Sequence, residues 1–154
     1  MGFPSRLGTD ISMPTLYMLD TNTVSHIIKR QPQAIARLLA VPMHSVCISA
    51  ITAGELAFGL AKRPQAVALQ AAVQEFLRRV EVMPWDDAVA QSYGTLRAAL
   101  YKKGTPLAAL DLQIAAHALH LKATLVSNDK VFGQVGLLLV EDWVKVQPSV
   151  NPIE

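Results

Sequence analysis

The chain has 154 residues, enough for one domain with a full hydrophobic core. Hydrophobic residues make up 51% and charged residues 17%, a balance that argues against extensive disorder. Fourteen basic and twelve acidic residues leave a net charge of +2, too small to argue nucleic-acid binding by itself.

No apolar run approaches the roughly 20 residues of a bilayer span. The opening stretch MGFPSRLGTDISMP lacks the apolar core of a signal peptide. The single cysteine, Cys47 in VCIS, excludes an internal disulfide and reads as a buried free thiol. A cytoplasmic protein with no membrane contact is expected. Residues 1–14 read as a loose extension, 15–144 as a single domain and 145–154 as a tail, with Met13 and Met18 as alternative starts.

The elements alternate along the chain. A buried strand over 16–20 ends on Asp20, and helices are expected over 23–29 and 32–39, the second opened by Pro32. HSVCIS (44–49) reads as a second strand, followed by helices over 52–62 and 65–78. Residues 80–85 read as a third strand at the sheet edge, because Pro84 cannot donate to a ladder. Asp86 caps a helix to about residue 103, which Gly104 stops. A very apolar helix over 107–121 precedes a fourth strand at 123–127 and a short fifth at 137–140. Strands separated by helices imply an α/β fold: a three-layer α/β/α sandwich around a mainly parallel sheet of four to five strands.

Ligands of such sheets bind beyond the carboxyl ends of the strands. Asp20 falls there, and Asp129 follows the fourth strand in the same way. Asp111 lies in PLAALDLQIAAHALHL. At about 100° per residue, Gln113, His117 and His120 form one polar stripe, and Asp111 points the opposite way, among Ile114, Ala115 and Ala118. A buried carboxylate costs several kcal/mol, so Asp111 is either a dipole-stabilised first-turn acid or a ligand or catalytic group. Glu55 is open in the same sense: Thr52-Ala-Gly-Glu55 fits a capping box, and only its small, apolar surroundings favour a site. His117 and His120 lack partner ligands for zinc, and Glu141 and Asp142 read as surface acids.

These residues carry a resemblance. LDTN (19–22), ITAGELAFG (51–59), YGTLRAAL (93–100), LDLQIAAHA (110–118) and LVSND (125–129), in that order, resemble the PIN-domain ribonucleases, and within them the VapC-type toxins of toxin–antitoxin pairs, over about 16–143. The resemblance places the four site acids on Asp20, Glu55, Asp111 and Asp129, with Asn22 and Ser127 as supporting polar groups. Two departures are visible. Ala108 stands where relatives often carry glycine, and the stretch 129–132 is one residue shorter than in close relatives.

Four carboxylates in one pocket repel; two unit charges 4 Å apart cost about 4 kcal/mol at an effective dielectric of 20. Such a pocket takes up protons or a cation, and an all-oxygen donor set favours Mg²⁺ or Mn²⁺. The expectation is metal-dependent hydrolysis of RNA phosphodiesters, leaving a 5′ phosphate and a 3′ hydroxyl. Asp20, Glu55, Asp111 and Asp129 are the expected ligands, and Glu55 is also a candidate water-orienting base. With the four site acids set aside, fourteen basic residues face eight acids, a balance of +6 that would attract a polyanion. Arg97, Lys102, Lys103 and Lys130 are candidate phosphate contacts. The resemblance further implies a transfer or messenger RNA substrate, a VapB-like antitoxin that alone touches DNA, and a homodimer.

Two rivals stay open. Asp20-Thr-Asn-Thr-Val24 is similar to the haloacid dehalogenase loop, although Asn22 replaces its second aspartate. An inactive PIN-like module binding RNA or protein is the other.

Overall fold

The computed structural model describes residues 14–146. The expected N-terminal extension, Pro14 apart, and the tail beyond residue 146 lie outside the described residues. The elements are β1 (Tyr17–Leu19), α1 (Thr21–Ile28), α2 (Pro32–Leu39), β2 (Val46–Ser49), α3 (Ala50–Ala61), α4 (Val67–Arg79), β3 (Glu81–Met83), α5 (Asp87–Lys103), α6 (Ala109–His120), β4 (Thr124–Val126) and β5 (Val140–Glu141). Short 3-10 turns cover Met43–Ser45 and Lys130–Gln134. The sheet has five strands in the order β3-β2-β1-β4-β5, and every pairing is parallel. Met18 lies fully buried within β1, and Tyr17 before it pairs with Val46 and Thr124, so a chain begun at Met18 would lack a residue of the central ladder.

Side chains alternate across the sheet as the two-residue strand period requires. Met18, Cys47 and Leu125 pack with Leu100 of α5 and Leu112, Ile114, Ala115 and Ala118 of α6. Leu19, Ile48 and Val126 pack on the other face with Val24 and Ile27 of α1, Leu38 of α2 and Phe76 of α4. Each of the Met, Leu, Ile, Val and Phe side chains among them contributes roughly 1.5–3 kcal/mol by burial. The three layers match the expected fold class.

Local chemistry sets the boundaries. Asp20 Oδ1 accepts the Thr23 amide at 2.8 Å, so α1 begins two residues earlier than its pattern suggests. Ser49 caps α3 by accepting the Ile51 amide at 3.0 Å. Thr52 therefore lies inside the helix, and the expected capping box with Glu55 does not form. Asp86 caps α5 as expected, and Gly104 closes it in the left-handed region at φ 72°. Ala108, before α6, has φ −60° and ψ 152°, which any residue adopts, so the absent glycine carries no strain. The fifth strand starts at Val140 rather than 137, and Leu137 and Leu139 stand exposed before it.

Two polar assignments are corrected. The stripe Gln113, His117, His120 does not face solvent: His117 is fully buried, Gln113 half-buried and only His120 exposed. Helix α6 is covered by α5, the sheet and α3, so no open stripe remains along it. Glu141 is not a free surface acid; it accepts from Arg37 and from the Trp143 indole, each at 3.0 Å, and ties β5 to α2.

Candidate active site

The ends of the two central strands are pinned together. The Asp20 amide donates to Val126 O at 3.0 Å, and the Thr23 hydroxyl donates to the same carbonyl at 3.0 Å. Asp20 is nearly buried, and only one of its oxygens is taken by the helix cap. One residue past β4, buried Ser127 accepts the Asp129 amide at 3.0 Å through its hydroxyl. Asp129 itself is exposed and accepts the Val131 amide at 3.0 Å, capping the turn that follows. Asp20 and Asp129 are thus carried on the carboxyl ends of neighbouring strands.

Asp111 joins them from the first turn of α6. Burial raises its carboxyl above the ordinary carboxylate range, and the charges of Asp129 and then Asp20 raise it further. Asp111 therefore lies within electrostatic reach of both Asp129 and Asp20. Among the described residues the ion pairs join Arg37 to Glu141 and Arg78 and Arg79 to Glu75; none reaches the site acids.

Glu55 is placed differently. It is half-buried midway along α3 and lines a cavity with Thr21 and Ser25 of α1. It is not among the charges that raise Asp111. Thr21, the residue after Asp20, lines the same cavity, and its hydroxyl donates to buried Thr52 at 3.3 Å. Asn22 stands exposed in the first turn of α1.

A divalent ion suits this donor set. Among the described residues no three carboxylate, histidine or cysteine side chains stand close enough to form a cage. Mg²⁺ does not need one: it keeps several waters and is held by one or two carboxylates together with substrate phosphate oxygens. Asp20, Asp111 and Asp129 offer hard oxygens without a competing cation, which fits that mode. Among the described residues no soft or imidazole-rich site arises: Cys47 is buried with its thiol pushed up to about 12, and His117 is committed elsewhere.

Lys130 follows Asp129 and is exposed. Helices α5 and α6 pack antiparallel, with Ser92 Oγ 2.8 Å from His120 Nδ1, so exposed Lys102 and Lys103 lie at the end of the pair that carries Asp111. Arg97 donates to the Tyr93 hydroxyl at 3.2 Å.

Sequence reasoning missed one buried link. His117 Nδ1 lies 2.8 Å from Ser49 Oγ, joining α6 to the cap of α3. Trp85 packs edge-on against the imidazole at 5.5 Å, and Nε2 is buried without a hydrogen-bond partner. Burial lowers the His117 pKa, the His120 charge lowers it further, and Asp86 and the Pro84 carbonyl oppose them. The serine at the end of VCIS was the available signal, but spacing alone does not bring residue 117 to it.

Comparison with known proteins identifies the family. The PIN domain family model matches residues 17–138. "Ribonuclease VapC2" of Haemophilus influenzae is 36% identical over 129 residues, which are 83% of this chain and 98% of that relative. "tRNA(fMet)-specific endonuclease VapC" of Shigella flexneri is 34% identical over 128 residues, 82% of this chain and 97% of the relative. Among solved structures, VapBC2 from Rickettsia felis bound to a DNA fragment from the promoter superposes with a TM-score of 0.77 at 32% identity, covering 84% of this chain and 99% of that one. DNA-bound VapBC from Salmonella typhimurium gives 0.77 at 35%, with coverage of 84% and 99%. The chain belongs to the PIN-domain family, among its VapC-type ribonucleases.

Proposed function

We propose that the chain is the toxin of a toxin–antitoxin pair, an endoribonuclease that hydrolyses RNA phosphodiesters with Mg²⁺ or Mn²⁺ and so stops translation and growth. The observation that carries this reading is the raised carboxyl of Asp111 under the charges of Asp129 and Asp20, at the carboxyl edge of a parallel sheet. Three acids without a cation partner cost stability in the free protein, and an ion with a phosphate repays that cost.

Asp20, Asp111 and Asp129 would hold the ion, Asn22 and Ser127 would support them, and Ser127 aims the Asp129 backbone. When bound, the ion stabilises charge on the phosphoryl oxygens and lowers the pKa of water. Glu55 stands to one side on α3, suited to orient a water or accept its proton. Lys130 and Arg97 would contact flanking phosphates. Transfer RNA is the favoured substrate, with messenger RNA second, since one relative is named for a transfer RNA.

Solved relatives are toxin–antitoxin complexes on DNA, which supports a VapB-like antitoxin as partner, with DNA reached only through it. A homodimer acting in the cytoplasm completes the proposal; among the described residues no helix is long and apolar enough to cross a membrane. The phosphatase rival is disfavoured by Asn22 and by the family match, and retention of every acid disfavours an inactive module.

The test is cleavage of total cellular RNA with Mg²⁺ or Mn²⁺, with EDTA, and with Asp20→Asn, the ends mapped by sequencing. Specific cuts bearing 5′ phosphates, abolished by EDTA and by the substitution, are expected. Equal cutting by the mutant would remove Asp20 from the chemistry, and no cutting by folded wild type would refute the nuclease.

A further inference from the structure

A groove of about 260 Å³ opens between α1, α3 and α4. One end is polar and belongs to the site: Thr21, the residue after Asp20, together with Ser25 and Glu55. Its walls are apolar, with Ile28, Leu56, Leu60, Leu69 and Val73. The far end is basic: Lys29, Lys62 and Arg63. Thr21 and Lys29 are eight residues apart on one helix path, so the acidic and basic ends are separated by about 12 Å of helix rise.

The three cations are exposed and make no ion pair among the described residues. Lys29 and Lys62 sit at the C-caps of α1 and α3, where helix dipoles favour a cation whatever its task. Arg63 lies beyond the helix end and has no such account. All three converge on one end of a groove whose other end carries Glu55 and Thr21, the residue after Asp20. A chain entering that site must leave along a surface, and this one offers positive charge at its exit and apolar walls between.

We propose that the groove is a subsite for the RNA strand, in which Lys29, Lys62 and Arg63 hold a backbone phosphate removed from the scissile bond while a base lies against the apolar walls. The proposal rests on the ribonuclease reading. The cations act on binding rather than chemistry, because they stand away from the carboxylates. Gly59 lines the groove, and a Cβ placed there meets nothing within 4 Å, so a side chain can start from this position without a clash at its root.

The experiment uses Asp20→Asn full-length protein and a labelled oligouridylate of about 12 nucleotides, with affinity measured against salt. The triple variant Lys29→Gln, Lys62→Gln, Arg63→Gln should flatten the slope of log K against log salt by about 0.7, the loss of one single-strand phosphate contact. Gly59→Leu should weaken binding at each salt concentration with the slope kept. Lys122→Gln, at the amino end of β4, should change neither. With Asp20 restored, the triple variant should raise KM about tenfold at constant kcat. A wild-type slope and KM in the triple variant overturn the subsite and leave the nuclease standing. A wild-type slope accompanied by loss of antitoxin binding also overturns it and assigns the groove to a protein partner. If wild type cuts no RNA yet the slope falls as stated, the groove stands as an RNA site and the nuclease reading fails.

Discussion

Glu141 and Asp111 are both half-buried carboxylates at the site edge of the same fold, and their neighbours are opposite. Glu141 accepts from Arg37 and from the Trp143 indole. Asp111 faces Asp129 and Asp20 with no cation in reach among the described residues. Partial burial and position do not separate a structural acid from a site acid; the sign of the surroundings does. One carboxylate holds the fold together, and the other burdens it.

The largest expected effect comes from removing the burden. Asp111→Asn should lower kcat/KM by at least about a hundredfold, or about 2.7 kcal/mol. Its stability should move the other way at neutral pH. The folded pKa of Asp111 is raised, so the folded state holds more protons than the unfolded one, and stability falls as pH rises from about 3.9 through the folded value. The variant should therefore be more stable than wild type at pH 7 and equal to it at low pH, as read by denaturant melts.

His117→Ala should cost about 2–3 kcal/mol, because it empties a buried site and removes one of the two hydrogen-bond partners of Ser49. The His117 pKa is lowered in the fold, so the unfolded chain holds more protons below about pH 6.5 and acid destabilises wild type there. His117→Gln should flatten that slope, and a slope that persists would place its origin elsewhere. Glu141→Ala should cost about 1–2 kcal/mol by orphaning the indole of buried Trp143, with RNA cleavage retained. Cleavage lost in step with Asp111→Asn would erase the contrast between the two acids. Arg97→Gln should change least, raising KM about twofold, near 0.4 kcal/mol.

Much of this was legible in the sequence for physical reasons. Strand ends that terminate on Asp20 and Ser127-Asn-Asp129 mark the edge, and helical angles placed Asp111 on an inward face. Asp86 and Gly104 marked α5 through local capping chemistry alone. What escaped depends on third dimensions that spacing does not encode. Ser49, not Thr52, caps α3, so the capping-box account of Glu55 fell only once the strand end was seen. His117 looked exposed because angular arithmetic treats a helix as having one buried side, whereas α6 is covered on several. The pairing of Glu141 with Arg37 spans 104 residues, and the convergence of Lys29 with Lys62 and Arg63 needs the packing of α1 on α3.

The central claim is that Asp20, Asp111 and Asp129 act as one ion-holding cluster. Calorimetric titration of Mn²⁺ into wild type, Asp111→Asn and Asp129→Asn tests it most directly. The account predicts one saturable heat in wild type and affinity weaker by at least about tenfold, about 1.4 kcal/mol, in each variant. Equal Mn²⁺ binding by all three proteins would contradict it.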